Sequence, residues 1–423
     1  MKKSLLTFVF FLSVLNLSAQ SFYVCSEGDV MTASSLSFEN SDNGMSLNGT
    51  QPTTAVDSIT MHVPALHFVG GDLSMLPQYE AKKAAYYDVN GKRIADVLTF
   101  LKEQGWNAVR VRLFVDPSKA SDEDKGQGVC QDLDYVKLLG KRIKDMGMLL
   151  MLDFHYSDSW ADPAKQWTPA DWASLTDAEL KTKIYEYTRD CLQQMNEAGA
   201  SPDFIQTGNE ISYGMMWGDF GNTSAKKKNF CSSGSSASTW SRFTDLLKQA
   251  GKACREVCPR AKIVIHTERV PNTGYLSTFY NKMKAAAVDY DIIGLSYYSY
   301  FHGDLTKLES ALSLLEKDFP DKKIMIVEAG YYHAYQPEGS DIIDLSKTYP
   351  VTPEGQRLFT ADLVAKLKAH KNVNGLFWWW PEANEKGVDW RNPVTKSGWY
   401  NAGLFDNNTG RALPALYELK TFK

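Results

Sequence analysis

Two short apolar runs, each ending on a glutamate, constrain this chain more than any other feature. The first, Pro202–Ile211 (PDFIQTGNEI), passes from a strand pattern into Asn209 and Glu210; the second, Lys323–Gly330 (KIMIVEAG), reaches Glu328. Aliphatic and β-branched runs of this length, bounded by Gly, Pro or charge, read as strands buried on both faces, as in a parallel sheet. In a (β/α)8 barrel such strands carry their chemistry at their C-terminal ends. A single glutamate at a strand end is ordinarily a helix cap or half of an ion pair. Two in matching positions are harder to explain that way. The interval between them holds three strand–helix units of roughly 40 residues, so if Glu210 ends the fourth strand, Glu328 ends the seventh.

The rest of the chain supplies the missing units. Strands are expected at Leu66–Gly70, Ala108–Val115, Met148–Phe154, Lys262–His266, Asp291–Ser296, Lys323–Glu328 and Val373–Trp379, around the fourth that leads into Asn209. Helical patterns lie between them, at Ile94–Glu103 before Gly105, at Leu133–Met146 before Gly147 and at Asp177–Ala198. Glycine just past a helical pattern is the usual C-terminal stop. Strands alternating with helices predict an α/β fold with a parallel sheet, and eight of them predict a (β/α)8 TIM barrel over residues 61–423.

The N-terminus reads differently. Lys2 and Lys3 precede an apolar run from Leu5 to Leu17, too short to span a bilayer and followed by small residues, so residues 1–20 are expected to be a secretory signal peptide. Residues 21–60 are rich in Ser, Thr, Asn and Gly and read as an extension or linker. No later run approaches membrane-spanning length. The protein is therefore expected to be exported and then secreted, held at the cell surface or periplasmic. Cys25 raises a lipoprotein reading, which the large residues before it disfavour. Six scattered cysteines do not form a disulfide framework or a zinc pattern, although one bridge of unknown pairing is compatible with them. A net charge of −4 with mixed signs argues against a nucleic-acid partner, and the chain is expected to work as a monomer. The aromatic content is 12%, with 11 Trp and 21 Tyr, which suits a sugar-binding surface.

Strand alternation sorts the candidate side chains. Arg110 and Arg112 share a face, as do Asp153 and His155. A buried arginine lowers the pKa of a carboxylate beside it, and Arg112 is assigned as the partner of Glu328, with Arg110 lying deeper. Asp153–Asp162 (DFHYSDSWAD) is dense in groups that hydrogen-bond sugar hydroxyls, chiefly Asp153, His155 and Asp158, and Trp160 offers a stacking face. His266 ends the fifth strand in a similar way. Tyr297, just past the sixth strand, is expected to donate its phenol to Glu328. Of Trp378, Trp379 and Trp380 at the eighth strand, alternation separates the middle ring from its neighbours, and Trp379 is expected to floor the site.

These stretches resemble those of the glycoside hydrolase family 53 endo-β-1,4-galactanases. The matching segments are Val109–Leu113 (VRVRL), Leu149–Pro163 (LLMLDFHYSDSWADP), Gly208–Ile211 (GNEI), Ile293–Tyr298 (IGLSYY), Val327–Glu328 and Gly375–Trp379 (GLFWW). The third-strand segment is the specific one; Asn-Glu alone indicates only the wider clan. The resemblance implies a retaining hydrolase with Glu210 as acid/base, Glu328 as nucleophile and Asn209 on the 2-hydroxyl of the sugar being cleaved. The substrate implied is β-1,4-galactan or type I arabinogalactan.

Three segments depart from the family pattern. Gly330–Pro350 follows the nucleophile where some members hold calcium, yet it has no closely spaced acidic ligands, so neither calcium nor any other cofactor is expected. Trp380 stands where an acid is usual, with Glu382 two residues on. Gly221–Ser238, after the fourth strand, is rich in Ser and Lys. Two other readings stay open on the sequence: a clan relative acting on mannan or glucan, and a sugar-binding barrel without catalysis.

Overall fold

Each of the eight expected strands exists, and every neighbouring pair is parallel. The computed structural model describes residues 67–218, 230–335, 338–386 and 398–423. The expected signal peptide (1–20), the extension (21–60) and residues 219–229 of the loop after the fourth strand lie outside them. The described residues belong to one unit, Ala65–Lys423.

The order is β1 (Phe68–Asp72), α1 (Val97–Glu103), β2 (Ala108–Leu113), α2 (Leu133–Asp145), β3 (Leu149–Phe154), α3 (Asp177–Glu197), β4 (Phe204–Thr207), α4 (Ala237–Val257), β5 (Lys262–Thr267), α5 (Thr273–Ala285), β6 (Ile292–Tyr298), α6 (Leu305–Asp318), β7 (Lys323–Gly330), α7 (Pro353–Lys368), β8 (Val373–Trp378) and α8 (Pro414–Leu419). The strands close in sequence order, with β8 pairing β1, into a (β/α)8 barrel.

Local chemistry sets the helix ends. Thr176 and Glu179 form a reciprocal capping box at the start of α3, satisfying two backbone N–H groups that a helix leaves unpaired. Asp132, Asn272 and Asp304 cap α2, α5 and α6 with side-chain oxygens. Helix α1 begins three residues later than Ile94 because Asp96, in an extended conformation, is its cap and accepts from the Thr99 N–H at 2.6 Å.

The barrel interior is layered. At the N-terminal end Ala108, Met151, Phe204, Val264, Ile292, Met325, Val327 and Phe377 form an apolar plug, separate from the larger core between sheet and helices. Above it, inward positions change character: Asp72, Arg110, Arg112, Asp153, Gln206, His266 and Ser296 are all buried and polar. Apolar filling below and charge above is how this fold keeps stability and chemistry on opposite ends.

Strand β7 breaks its alternation once. Ile326 pairs with Leu295 and Glu328 with Ser296, which leaves Val327 as an extra residue; the pairing with β8 slips at the same point. The bulge lets Val327 face the plug while Glu328, its neighbour, turns to the mouth. A bulge beside a functional group commonly re-aims a side chain in this way.

The described cysteines, Cys130, Cys191, Cys231, Cys254 and Cys258, are all free thiols, so no bridge forms among them. Among the described residues no helix is long and apolar enough to cross a membrane.

Candidate active site

A cleft of about 770 Å³ opens at the C-terminal end of the strands, and Asn209, Glu210, Glu328, Trp160 and Trp379 all line it. Glu210 comes from the turn after β4. Its backbone is left-handed, with φ of 47°, a conformation that non-glycine residues seldom adopt. The surroundings hold it there. Gln166 Nε2 donates to the Asn209 carbonyl at 2.7 Å and to that of Glu210 at 3.3 Å, and the Glu210 N–H points at His266 Nδ1. Strain retained at one residue and supported by its neighbours is characteristic of functional sites.

Glu328 faces Glu210 from β7. Arg110 Nη2 lies 3.0 Å from Glu328 Oε1, and the Tyr298 hydroxyl donates to Oε2 at 2.7 Å. Both partners differ from those expected. Arg112 instead pairs with Asp72 at 2.9 Å, and its guanidinium lies under the rings of Trp160, Trp379 and Trp380, 4.7 to 5.9 Å from their centroids. Arginine is long enough to lift its guanidinium a full layer, so the deeper Cα of Arg110 delivers the charge to Glu328. Tyr297 fails for a different reason. Strand β6 runs two residues beyond Ser296, and alternation from inward Ser296 sends Tyr297 outward, where its hydroxyl donates to the Gly303 carbonyl at 2.9 Å. Tyr298 takes the inward place.

The remaining expected sugar ligands are placed beneath or beside the cleft rather than on it. Asp153 is fully buried, accepts from Arg110 Nη2 at 2.7 Å and also receives Gln206. His155 sits with Nε2 3.1 Å from Asp153, and its Nδ1 accepts the Ala161 N–H. Asp158 accepts the N–H groups of Asp116 and Ala170, joining two loops. All three are occupied with protein groups; none lines the cleft. Asn209 lines it while its Oδ1 accepts from Arg110 at 2.8 Å and its Nδ2 donates to the Ala161 carbonyl at 2.8 Å.

Arg110, on β2, thus ties together β1, β3, β7 and the turn after β4, touching Asp72, Asp153, Glu328 and Asn209. Burial pushes the Glu328 pKa up to about 6, and Arg110 and Tyr298 oppose that rise. Glu210 is raised well above the carboxylate range, by burial first, then by the negative charge of Glu328 and of Glu268. Two carboxyls in one cleft are held apart in pKa, with the proton favoured on Glu210. His266 is held well below its usual pKa by burial and by Arg110, and is therefore neutral. Its Nδ1 accepts the Glu210 N–H at 3.3 Å, which assigns the ring proton to Nε2, 2.8 Å from Ser296 Oγ.

Glu268 is a carboxylate that the sequence reading missed. It lines the cleft just past β5, accepts the Ser212 hydroxyl at 2.7 Å, and burial raises its pKa to about 7. Two residues beyond inward His266, it lies on the same face, so alternation alone could have found it. Gln166 gave no such signal, because a loop has no periodicity. Trp380 lines the cleft in a left-handed conformation, and Glu382 turns beneath it to accept the Met75 N–H at 2.8 Å, with burial raising its pKa to about 8. After β7, His333 is buried, with its pKa lowered by that burial to about 4. Among the described residues no group of three or more His, Cys, Asp or Glu side chains forms a metal-binding cluster.

A charged layer on an apolar plug, with two carboxyls of unequal pKa facing one indole-lined cleft, defines the class of (β/α)8 glycoside hydrolases. Comparison with known proteins narrows this. The model of glycosyl hydrolase family 53 matches residues 68–419, and the chain belongs to that family. It is 31% identical over 382 residues to an endo-β-1,4-galactanase of Bacillus subtilis, covering 82% of this chain and 84% of that one. It superposes on the family 53 catalytic domain of Ignisphaera aggregans with a TM-score of 0.72 and 32% identity, covering 85% of this chain and 97% of that one. A fungal β-1,4-galactanase structure matches with a TM-score of 0.69 at 28% identity, over 84% and 99% of the two chains.

Proposed function

We propose that this protein is an exported endo-β-1,4-galactanase that hydrolyses β-1,4-galactan and type I arabinogalactan with retention of configuration. The observation that carries the mechanism is the unequal environment of the two carboxyls: Glu328 has a cation and a phenol on its oxygens, Glu210 has neighbouring negative charge. The substrate assignment rests on family membership and on relatives named as galactanases.

In the first step a Glu328 oxygen attacks the anomeric carbon while Glu210 gives its proton to the departing glycosidic oxygen. Retention by this route requires carboxyls roughly 5–5.5 Å apart. Once the glycosyl ester forms, the Glu328 charge is gone. Glu210 then loses the largest of the negative charges that raised its pKa, becomes a better anion and accepts a proton from the incoming water. Arg110 and Tyr298 stabilise Glu328 again as it leaves. Asn209, fixed by Arg110 and Ala161, is positioned to meet the 2-hydroxyl, and Trp379 and Trp160 give the sugar an apolar face. No step in this sequence calls for a metal, and action as a monomer without a cofactor is part of the proposal. Export rests on the character of residues 1–20.

Parallel incubation with unbranched β-1,4-galactan, β-mannan and β-glucan tests this reading. Mid-length galacto-oligosaccharides appearing early, with nothing released from the other two, is the expected result. Release from mannan or glucan alone would move the substrate, and binding of galactan without any release would overturn the enzymatic reading.

A further inference from the structure

The closed strand order divides the mouth of the barrel. Glu210 follows β4 and Glu328 ends β7, so a line between them leaves β5 and β6 on one side and β8, β1, β2 and β3 on the other. A polysaccharide threaded between the two carboxyls must lie partly over each half. Trp160 and Trp379, from the loops after β3 and β8, belong to the larger half. Asn209 leans the same way, since its side chain is held by Arg110 of β2 and by Ala161 after β3. The sugar that Asn209 meets, and the residues preceding it, therefore occupy that half, and the leaving sugars occupy the other.

The smaller half has its own aromatic surface, which the chemistry above does not use. Phe301, on the helical turn Ser299–His302 after β6, lines the cleft with its side chain 43% exposed, although large apolar side chains are normally hidden. Its ring is supported by Tyr300 at 4.8 Å and stands 6.1 Å from Trp399. Trp399 follows β8 in sequence, yet it crosses to this half and packs edge-on against Tyr298 at 4.9 Å. Glu268 lines the same side, with its Oε2 accepting the Ser212 hydroxyl at 2.7 Å and its Oε1 paired with Arg269 at 2.8 Å.

Resting on the galactanase reading, we infer that Phe301 and Trp399 form the platform for the galactosyl residues on the leaving-group side of the scissile bond. A pyranose presents C–H groups on one face and hydroxyls at its edge. An exposed ring accepts the C–H face, and polar groups elsewhere on the cleft wall meet the hydroxyl edge. Phe301 has no group that could move a proton or attack, and acts on specificity, by deciding how well an oligosaccharide leaving group is held.

The test compares kcat/KM on β-1,4-galactan with kcat/KM on an aryl β-galactobioside, whose leaving group is not a sugar. Phe301→Ala is expected to lower the ratio of the two about tenfold and to shift early products away from the wild-type lengths, and Phe301→Trp to restore both. Phe301→Leu keeps apolar volume without a ring face and serves the same purpose if the alanine variant folds poorly. An equal fall on both substrates, or an unchanged ratio, would overturn the platform. Should the wild type cleave another β-linked polymer instead of galactan, the galactan reading falls, and the same ratio measured on that polymer decides for or against Phe301.

Discussion

Arg110 Nη2 lies 3.0 Å from Glu328 Oε1 in a setting where both side chains are withdrawn from water, and the same guanidinium holds Asp72 and Asp153. One cation facing three carboxylates leaves no surplus charge to lose. Breaking a buried pair by removing one partner costs about 3–5 kcal/mol, because the charge left behind is uncompensated. Arg110→Met is therefore expected to lower the melting temperature and, in whatever folds, to raise the Glu328 pKa further. The nucleophile role proposed for Glu328 requires it to be ionised, so the acidic limb of the kcat/KM profile is expected to move to higher pH. A limb that stays in place would remove Arg110 from the account.

Tyr298→Phe deletes one hydrogen bond to Glu328 without changing shape. That bond favours the anion, so its loss raises the Glu328 pKa and weakens the stabilisation of the departing carboxylate. A fall in kcat of about 10-fold to 100-fold is expected, corresponding to about 1.5–3 kcal/mol for a hydrogen bond to a charged group. Tyr297→Phe, which removes a bond to a backbone carbonyl, should cost only about 1 kcal/mol of stability and leave kcat within twofold. Equal effects from the two variants would refute the assignment of Tyr298.

These two tyrosines mark where sequence reasoning succeeds and where it stops. Eight strands and the two terminal glutamates were legible because buried parallel strands leave uninterrupted apolar runs. Strand length was less so: reading β6 as ending at Ser296 hid the phase that turns Tyr298 inward. The bulge at Val327 could not be read, since periodicity alone does not announce an inserted residue. Asp153, His155 and Asp158 were read as sugar ligands from composition, but three-dimensional closure gives each of them a protein partner. The layer that organises Asn209, with Arg110, Gln206, Gln166 and His266 drawn from β2, β4, a loop and β5, exists only once the barrel closes.

In the proposed mechanism Glu268 contributes to the upper side of the pH profile, after burial and Glu328. Its negative charge helps to raise the Glu210 pKa, and the acid role proposed for Glu210 requires it to be protonated. Glu268→Gln removes that charge, lowers the Glu210 pKa and should move the alkaline limb of kcat/KM to lower pH, with the acidic limb nearly unchanged. A pH titration of kcat/KM on an aryl galactobioside and on polymer checks the direction. An alkaline limb displaced upward would contradict it.

Gly208 illustrates a local requirement imposed by the site. Its φ is 99°, and a Cβ there would meet Ile211 Cγ2 at 2.7 Å, in the turn that delivers Asn209 and Glu210. Gly208→Ala is expected to destabilise the fold by about 1–3 kcal/mol, combining the strained conformation with the clash. Thermal unfolding measures the cost. Stability equal to the wild type would mean that the turn is more adaptable than its geometry implies.

The proposed double displacement requires that Glu328 become covalently bonded to sugar. Incubation with an activated 2-deoxy-2-fluoro-β-galactobioside slows the second step relative to the first and traps the ester, and peptide mass spectrometry then locates it. The prediction is a single disaccharide adduct on the peptide containing Glu328, formed as activity is lost. An adduct on Glu210, or steady turnover of galactan with inverted first-formed product and no adduct anywhere, would contradict the double displacement.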